Sequence, residues 1–491
     1  MLEIQKKLTN SFYGLLALPA TAMGFALSVQ ISALSWILSS KYGLEIHDVG
    51  LVWAAGPVAG ILGQVIVGLI SDNVWFWKGR RRPFIFIGGF LAALMLLALP
   101  NIDIITSSLG FTGILGVAIA VALTLDLAIN ISFNPTRSII ADVTPEGVER
   151  TKGYTWMQTI SGTFGVLAYV IGAVWNNYLL IYFGVGLVFV LSVIPPLFIE
   201  EPRALKNSDG EIPSNSKSKS SFGEILNNIQ PLWGFLIYAV YAIVGRILNY
   251  HPDHYYVELF CFAVTIFFIL KVILKNVDEL PKKEAGLVGF KKVLAAHSFT
   301  WIGIQTMFVY MFAYVQYKVY GFADGSVIDE NTNIEMGRIV SISFLILNAV
   351  GAVLPVLVLE PITRKIGRVK THAICISTMA LGYAGILFFG FTPSSIYIIM
   401  GILGIGWAST ISLPFAIMSQ KVDQAKMGLF MGLFNLAVVL PQLVASFGVG
   451  QAVSKAGDKS LIFIISTITL AISAVLWFMV REKFVPESNK G

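Results

Sequence analysis

The stretch S-D-N-V-W-F-W-K-G-R-R-R-P-F-I, Ser71 to Ile85, joins two apolar runs of roughly 48–70 and 83–100. As helices, such runs match the roughly 30 Å hydrocarbon core of a bilayer. The junction sets Asp72 at one helix end, with Gly79 and Arg80 seven and eight residues on and Arg81 behind them. A purely electrostatic anchor would explain the arginines but not the fixed spacing from the acid to the glycine. An acid facing a basic cluster can latch neighbouring helices and so bias one conformation over another. The arrangement returns far along the chain, where Glu360 precedes Gly367 and Arg368 at the same offsets. One junction appearing twice implies that the chain is two versions of one unit.

Working outward, each copy lies among six apolar runs. The first six are roughly 12–38, 48–70, 83–100, 111–136, 153–175 and 179–199. The last six are roughly 297–318, 338–359, 370–390, 395–418, 427–450 and 459–480. A polar linker, Glu200 to Ser221, and two further apolar runs, 231–248 and 257–275, separate them. The expected organisation is therefore an N-terminal six-helix half (1–200), a linker with an added hairpin (201–296), and a C-terminal six-helix half with its tail (297–491). If the hairpin crosses the membrane, the all-α chain has about fourteen transmembrane segments; the alternative is a pair lying in the interface. Parallel six-helix repeats around a central site are the architecture of the major facilitator fold.

Composition agrees with membrane residence. Of 491 residues 56% are hydrophobic and only 13% charged, where a soluble domain carries about 25% charge. The 45 glycines suit close helix packing. The net charge of +6 suggests no nucleic-acid partner, because the basic residues sit at helix ends. With the amino terminus in the cytoplasm, the segments then inside hold 27 of the 34 Lys and Arg residues. The reading is a multi-pass protein of the cell (plasma or inner) membrane, with both termini cytoplasmic and its surface in contact with lipid.

The fourth span carries the most informative side chain. Asp126 lies fifteen residues from its outer end, roughly 22 Å along the helix. That depth is near the bilayer midplane, where an ionised carboxylate without a partner is costly and a proton is readily taken up. Intramembrane acids usually mark an ion or proton path; the alternative is a structural ion pair. Asn130, Asn134 or Phe133, and Arg137 continue the same helical face. Pro135 is expected to kink the helix. Arg137 lies about 16 Å below Asp126, too far for a direct pair, and suits a cytoplasmic gate with Asp142 or an acid of another helix. Intramembrane amides at Gln30, Gln64, Gln158, Asn348 and Gln442 offer groups that match sugar hydroxyls or, alternatively, tie helices together.

Cys261 and Cys375 fall inside apolar runs and read as packing residues. The five histidines, His47, His251, His254, His297 and His372, are placed by default at helix ends or loops on the surface. No metal, cofactor or ATP site and no catalytic constellation is visible, which argues against an enzyme and leaves an ion gradient as the energy source.

Four stretches resemble the sucrose transporters and their glycoside:proton symporter relatives within the major facilitator superfamily. They are G-P-V-A-G-I-L-G-Q-V-I-V-G-L-I-S-D-N (Gly56 to Asn73) running into G-R-R-R-P-F-I, L-D-L-A-I-N-I-S-F-N-P-T-R-S-I-I-A-D (Leu125 to Asp142), S-L-P-F-A-I-M-S (Ser412 to Ser419), and N-L-A-V-V-L-P-Q (Asn435 to Gln442). The resemblance implies that Asp126 is the proton-coupling acid and that Gln30 stands where the first span of the family has a glutamine in Q-x-S. One departure concerns the seventh span, Gln305 to Gly321, which has no acid where the plant sucrose transporters have them. Its tyrosines, Tyr310 and Tyr314 among them, are expected to supply sugar packing, which keeps maltose or another glucoside open beside sucrose.

The combined expectation is a secondary active transporter that carries a disaccharide or other glycoside with a proton by alternating access, sufficient as a monomer. Asp126 couples the proton. Gln30, Asn130, Gln158, Tyr310 and Tyr314 bind substrate, and Asp72, Gly79, Arg80, Arg81, Arg137, Asp142, Glu360 and Arg368 form the gates. Rivals are sodium coupling and a membrane sugar sensor that moves nothing.

Overall fold

The computed structural model describes residues 3–60, 74–145, 148–203, 222–248, 254–277, 280–323, 325–422 and 427–482. Its principal helices are α1 (Asn10–Ser40), α2 (Ile46–Trp53), α3 (Arg82–Ala98), α4 (Ile114–Val143), α5 (Val148–Val174), α6 (Asn177–Phe198) and α7 (Trp233–Ile247). These are followed by α8 (Tyr256–Ile273), α9 (Lys282–Tyr314), α10 (Glu330–Leu354), α11 (Arg368–Phe389), α12 (Pro393–Ser419), α13 (Met427–Leu443) and α14 (Leu461–Phe478). Among the described residues there is no β-strand, only an isolated bridge between Phe76 and Gly79.

Twelve helices among the described residues are long and apolar enough to cross a membrane. This corrects the expected fourteen. The added pair does form, as α7 packed on α8, but only α8 reaches spanning length. The 15 residues of α7 rise about 22 Å, short of a hydrocarbon core of about 30 Å. The expected second span runs past the described residues at 61–73.

The chain forms two compact units, Met1–Ser218 with Gly325–Leu345 and Lys219–Asp324 with Ile346–Gly491. The division differs from boundaries drawn on the sequence: the hairpin packs with the second unit, and the first turns of α10 with the first. In the first unit the main packed pairs are α1 with α5 and α6, and α3 with α4 and α6. In the second they are α9 with α13 and α14, and α11 with α12 and α14. Numbering each half from one to six, these are the same four pairs. The repeat read from two short junctions is therefore a repeat of packing.

Small residues make these contacts close. A side chain on Gly88 would strike Ser132 of α4, and one on Gly89 would strike Ser192 of α6. Without that steric block, helix backbones approach and gain dispersion contacts that lipid does not supply. Short hydroxyl bonds reinforce the seams. Ser473 donates to the Ala296 carbonyl at 2.8 Å and Ser466 to that of Gly303 at 3.0 Å, both joining α14 to α9. In the first unit Ser341 of α10 donates to Asn177 at 3.0 Å and lies 2.9 Å from the Ser32 hydroxyl of α1. Large apolar side chains such as Phe90, Phe183 and Phe189 remain exposed on the outside.

The default surface placement fails for two histidines. His297 and His372 are buried. Trp301 donates to His297 Nε2 at 2.9 Å, the His297 ring stacks on Phe434 at 4.7 Å, and His372 Nδ1 sits 2.5 Å from Ser409 Oγ. His297 was misplaced because α9 begins at Lys282, well before the apolar run does, which leaves His297 mid-helix. Cys261 and Cys375 are both buried free thiols.

Candidate functional site

Helix α4 carries Asp126 in an uninterrupted run of 30 residues that continues through Pro135. Asp126 is only 6% exposed. Gln30 of α1, also buried, donates from Nε2 to Asp126 Oδ2 at 3.0 Å. Gly56, just beyond α2, flanks the same carboxyl group: a Cβ there would lie 3.2 Å from Oδ2. Three segments of the first unit thus enclose one carboxyl group with a neutral donor. No cation pairs with it among the described residues, so the structural ion-pair alternative has no partner there.

Asn130, one turn along α4, donates to the backbone carbonyl of Asp126 at 2.8 Å. Gln158 on α5 is exposed. Arg137 is exposed and lies over the Phe133 ring at 4.4 Å. The side chain of Asn134 lies outside the described residues.

Tyr310 and Tyr314 sit in the second unit, away from any open surface. Tyr310 is 1% exposed and its hydroxyl donates toward the carbonyls of Ala445 and Ser446 at 3.2 and 3.1 Å. Tyr314 is fully buried against the carbonyls of Ile386 and Gly390, both at 3.3 Å. Two of these acceptors lie in the π-helical turn Val444–Val449. Both tyrosines, expected to meet sugar, are buried here with their hydroxyls on backbone carbonyls of the second unit. The second unit does hold half-buried rings that the sequence reading passed over. Trp407 meets Trp301 at 6.3 Å and Phe308 at 5.3 Å, and its Nε1 donates to Asn348 at 3.1 Å. Gln442 donates to Gln305 at 3.1 Å, so these two amides tie helices.

The junction after residue 73 is a tight turn, with Phe76 and Gly79 exchanging backbone hydrogen bonds of 3.1 Å. Trp77 and Lys78 take left-handed φ values of 48° and 61° inside it. Arg81, at the start of α3, pairs with Asp142 at the end of α4 through Nε and Oδ2, 3.0 Å apart and almost wholly buried. Asp142 therefore serves Arg81 and not Arg137. Five residues turn a helix by about 140°, so Arg137 and Asp142 leave α4 on different faces. Asp72 lies outside the described residues.

Glu201 is the residue that sequence reasoning missed. Its carboxylate accepts the backbone N–H groups of Arg80, Arg81 and Arg82, each at 2.8 Å. Those amides begin α3 and have no partner within the helix, and a carboxylate also meets the positive end of the helix dipole.

A sequence profile of the Major Facilitator Superfamily matches residues 16–446. The chain belongs to the major facilitator superfamily. Major facilitator chains are transporters that cross the membrane many times, and this chain is a multi-pass membrane protein. Similar curated proteins include the sucrose transport protein SUC4 of Arabidopsis thaliana, 24% identical over 88% of this chain and 82% of that one. The sucrose transport protein SUT2 of Oryza sativa subsp. indica is 26% identical over 88% and 84%. The general alpha-glucoside permease of Schizosaccharomyces pombe is 32% identical over 33% of this chain and 30% of its own length. The fold resembles an auto-inhibited POT family peptide transporter (TM-score 0.64, 10% identity, 98% and 99% coverage) and the nucleoside transporter NupG (0.55, 12%, 96% and 100%).

In this major facilitator chain the second junction repeats the device of the first. Gly367, at a φ of 90° that a side chain would strain, turns the backbone into α11. Glu482, just past α14, then accepts the Val369 N–H at 2.9 Å. Glu201 holds the corresponding place just past α6. An acid after the last helix of each half was the available signal. Arg368 is exposed, and the side chain of Glu360 lies outside the described residues.

Proposed function

We propose that this protein is a sugar transporter that couples the uptake of a disaccharide or other glucoside to proton entry by alternating access. The observation that carries the reading is Asp126: a buried carboxyl group at mid-helix, facing an amide donor and no cation. A group so placed can be neutral when protonated and is stabilised by Gln30 when not, which suits cyclic loading and release of a proton. Sugar would meet the polar groups around it, Gln30, Asn130 and Gln158. The names of the relatives favour sucrose or an α-glucoside as substrate.

The charge distribution favours both termini in the cytoplasm and residence in the cell membrane. The Arg81–Asp142 pair and the two capping acids would then hold the inner ends of the helices, breaking and reforming as the path opens. One proton moved through 100 mV supplies about 2.3 kcal/mol, enough for roughly fortyfold accumulation of sugar.

The test is uptake into proteoliposomes with acid outside. Wild-type protein concentrates sugar, whereas Asp126→Asn equilibrates it without accumulation. Concentration by the variant would sink the coupling assignment. Replacing sodium with choline leaves uptake unchanged on this reading, and its loss would assign sodium instead. A competition panel of sucrose, maltose, trehalose and lactose identifies the sugar.

A further inference from the structure

The second unit contains a basic cleft lined by none of the candidate site residues. It lies where α8 ends, α9 is in its first turns and α14 ends, and it measures about 470 Å³. Lys275, Asn276, Lys292 and Arg481 supply its polar lining, and Leu274 and Phe478 contribute apolar walls. No carboxylate lines it among the described residues. Lys292 is 6% exposed and donates to the Lys275 carbonyl at 3.3 Å, so one ammonium is fixed in the wall while Lys275 and Arg481 reach in from the rim.

A second observation points at the cleft from outside. Along α8, Phe260, Ala263, Phe267, Leu270 and Leu274 are all exposed. Their spacing of three and four residues places them on one face. Phe267, Leu270 and Leu274 are 60%, 50% and 75% exposed. The apolar stripe therefore runs the length of the helix and ends at Leu274, on the lip of the cleft. Lys271 emerges from the same face one turn before the lip.

We propose that this cleft binds the headgroup of an anionic phospholipid, whose acyl chains lie along the α8 stripe. The cations match a phosphodiester, Asn276 offers an amide to its oxygens, and the stripe matches hydrocarbon. A free phosphate would satisfy the cleft alone and leave the adjoining stripe without purpose. The proposal rests on the membrane-embedded reading given above but not on the sugar or the coupling ion.

The experiment is native mass spectrometry of the full chain in neutral detergent. The additives are phosphatidylglycerol, phosphatidylcholine as the uncharged-headgroup control, and inorganic phosphate as a competitor without chains. The expected result is selective retention of phosphatidylglycerol, not displaced by millimolar phosphate. Lys275→Gln combined with Arg481→Gln should weaken retention about thirtyfold, roughly a factor of five for each cation removed. Both side chains are exposed, so the fold survives the change. Leu274→Asn should weaken retention while leaving the cations in place. Equal retention of the two lipids, or retention unchanged in the double variant, would overturn the site. Displacement by phosphate, with Leu274→Asn neutral, would reduce it to an anion pocket and overturn the lipid assignment. Sugar uptake is not read in this experiment, so its outcome is separate from that of the transport reading.

Discussion

At the scale of the residue, the Gln30–Asp126 contact makes a prediction that a merely structural glutamine would not. The amide donates to the carboxylate and so favours its ionised form. Gln30→Leu removes that preference, so the proton binds more tightly. Uptake as a function of external pH should then persist to more alkaline values, shifting by roughly one pH unit for a hydrogen bond to a charged group. A curve that does not move would separate Gln30 from coupling. A second residue prediction concerns Asp458, which lies between helices. The Ser460 backbone N–H and then the Lys318 ammonium hold its carboxyl below the usual value of 3.8. Because the folded value lies below the unfolded one, the stabilisation is complete above the ordinary carboxylate range and is lost as pH falls beneath it. Thermal unfolding should show Asp458→Asn less stable than wild type at pH 7, by no more than about 0.5 kcal/mol for so exposed a pair, with the difference shrinking as pH falls below the usual carboxylate value. Asp126 was legible from sequence because a lone acid in an apolar run has few explanations. Its partners were less so. Gln30 was one of several intramembrane amides, and nothing local in the sequence separates a Gln30 that faces a carboxylate from a Gln442 that faces another amide.

At the scale of the element, the beginnings of α3 and α11 are where the structure adds most to the sequence. The arginine cluster drew attention by its charge, yet three of its backbone amides, not its side chains, bind Glu201. Glu201→Ala should destabilise by about 1–2 kcal/mol, the cost of losing a helix cap, measured by thermal unfolding in detergent. Asp142→Asn takes the charge from one side of a nearly buried pair and should cost up to about 3–5 kcal/mol, because the Arg81 guanidinium loses the carboxylate that it meets at 3.0 Å. Replacing both members, Arg81→Met with Asp142→Leu, should recover most of that loss. If the double variant is no better than the single one, the pair is not an isolated unit and the capping carboxylate is coupled to it. Pattern reading failed here for a physical reason. A cap joins residues 119 apart in sequence, and no local periodicity reports such a pairing. The same limit applies to Tyr310 and Tyr314, whose hydroxyl partners on other helices no local pattern reports.

At the scale of the whole molecule, the repeat was legible and the count of spans was not. Two junctions with equal offsets foretold that the halves would pack alike, since α1 with α6 and α9 with α14, α3 with α4 and α11 with α12, are equivalent pairs. Counting spans by apolar length overstated α7, whose sequence is apolar enough but whose helix is too short. The proposed orientation has a direct check. A fluorescent protein fused after Gly491 should fluoresce, and alkaline phosphatase at the same place should be inactive, if the tail is cytoplasmic; the opposite pair of results would invert the topology.

The two capping acids also bear on how the chain is made. Each stands after the last helix of its half and closes on a helix begun long before. At about 5–20 residues per second, the 119 residues from Arg82 to Glu201 take roughly 6–24 s to emerge. Throughout that interval the first amides of α3 wait in water or against a chaperone. Glu201 then supplies the cap, and 113 residues separate Val369 from Glu482 in the second round. Each half thus keeps a late-made acid for an early helix, so a released chain truncated just short of Glu201 or Glu482 should be more open to proteases than one that includes the acid.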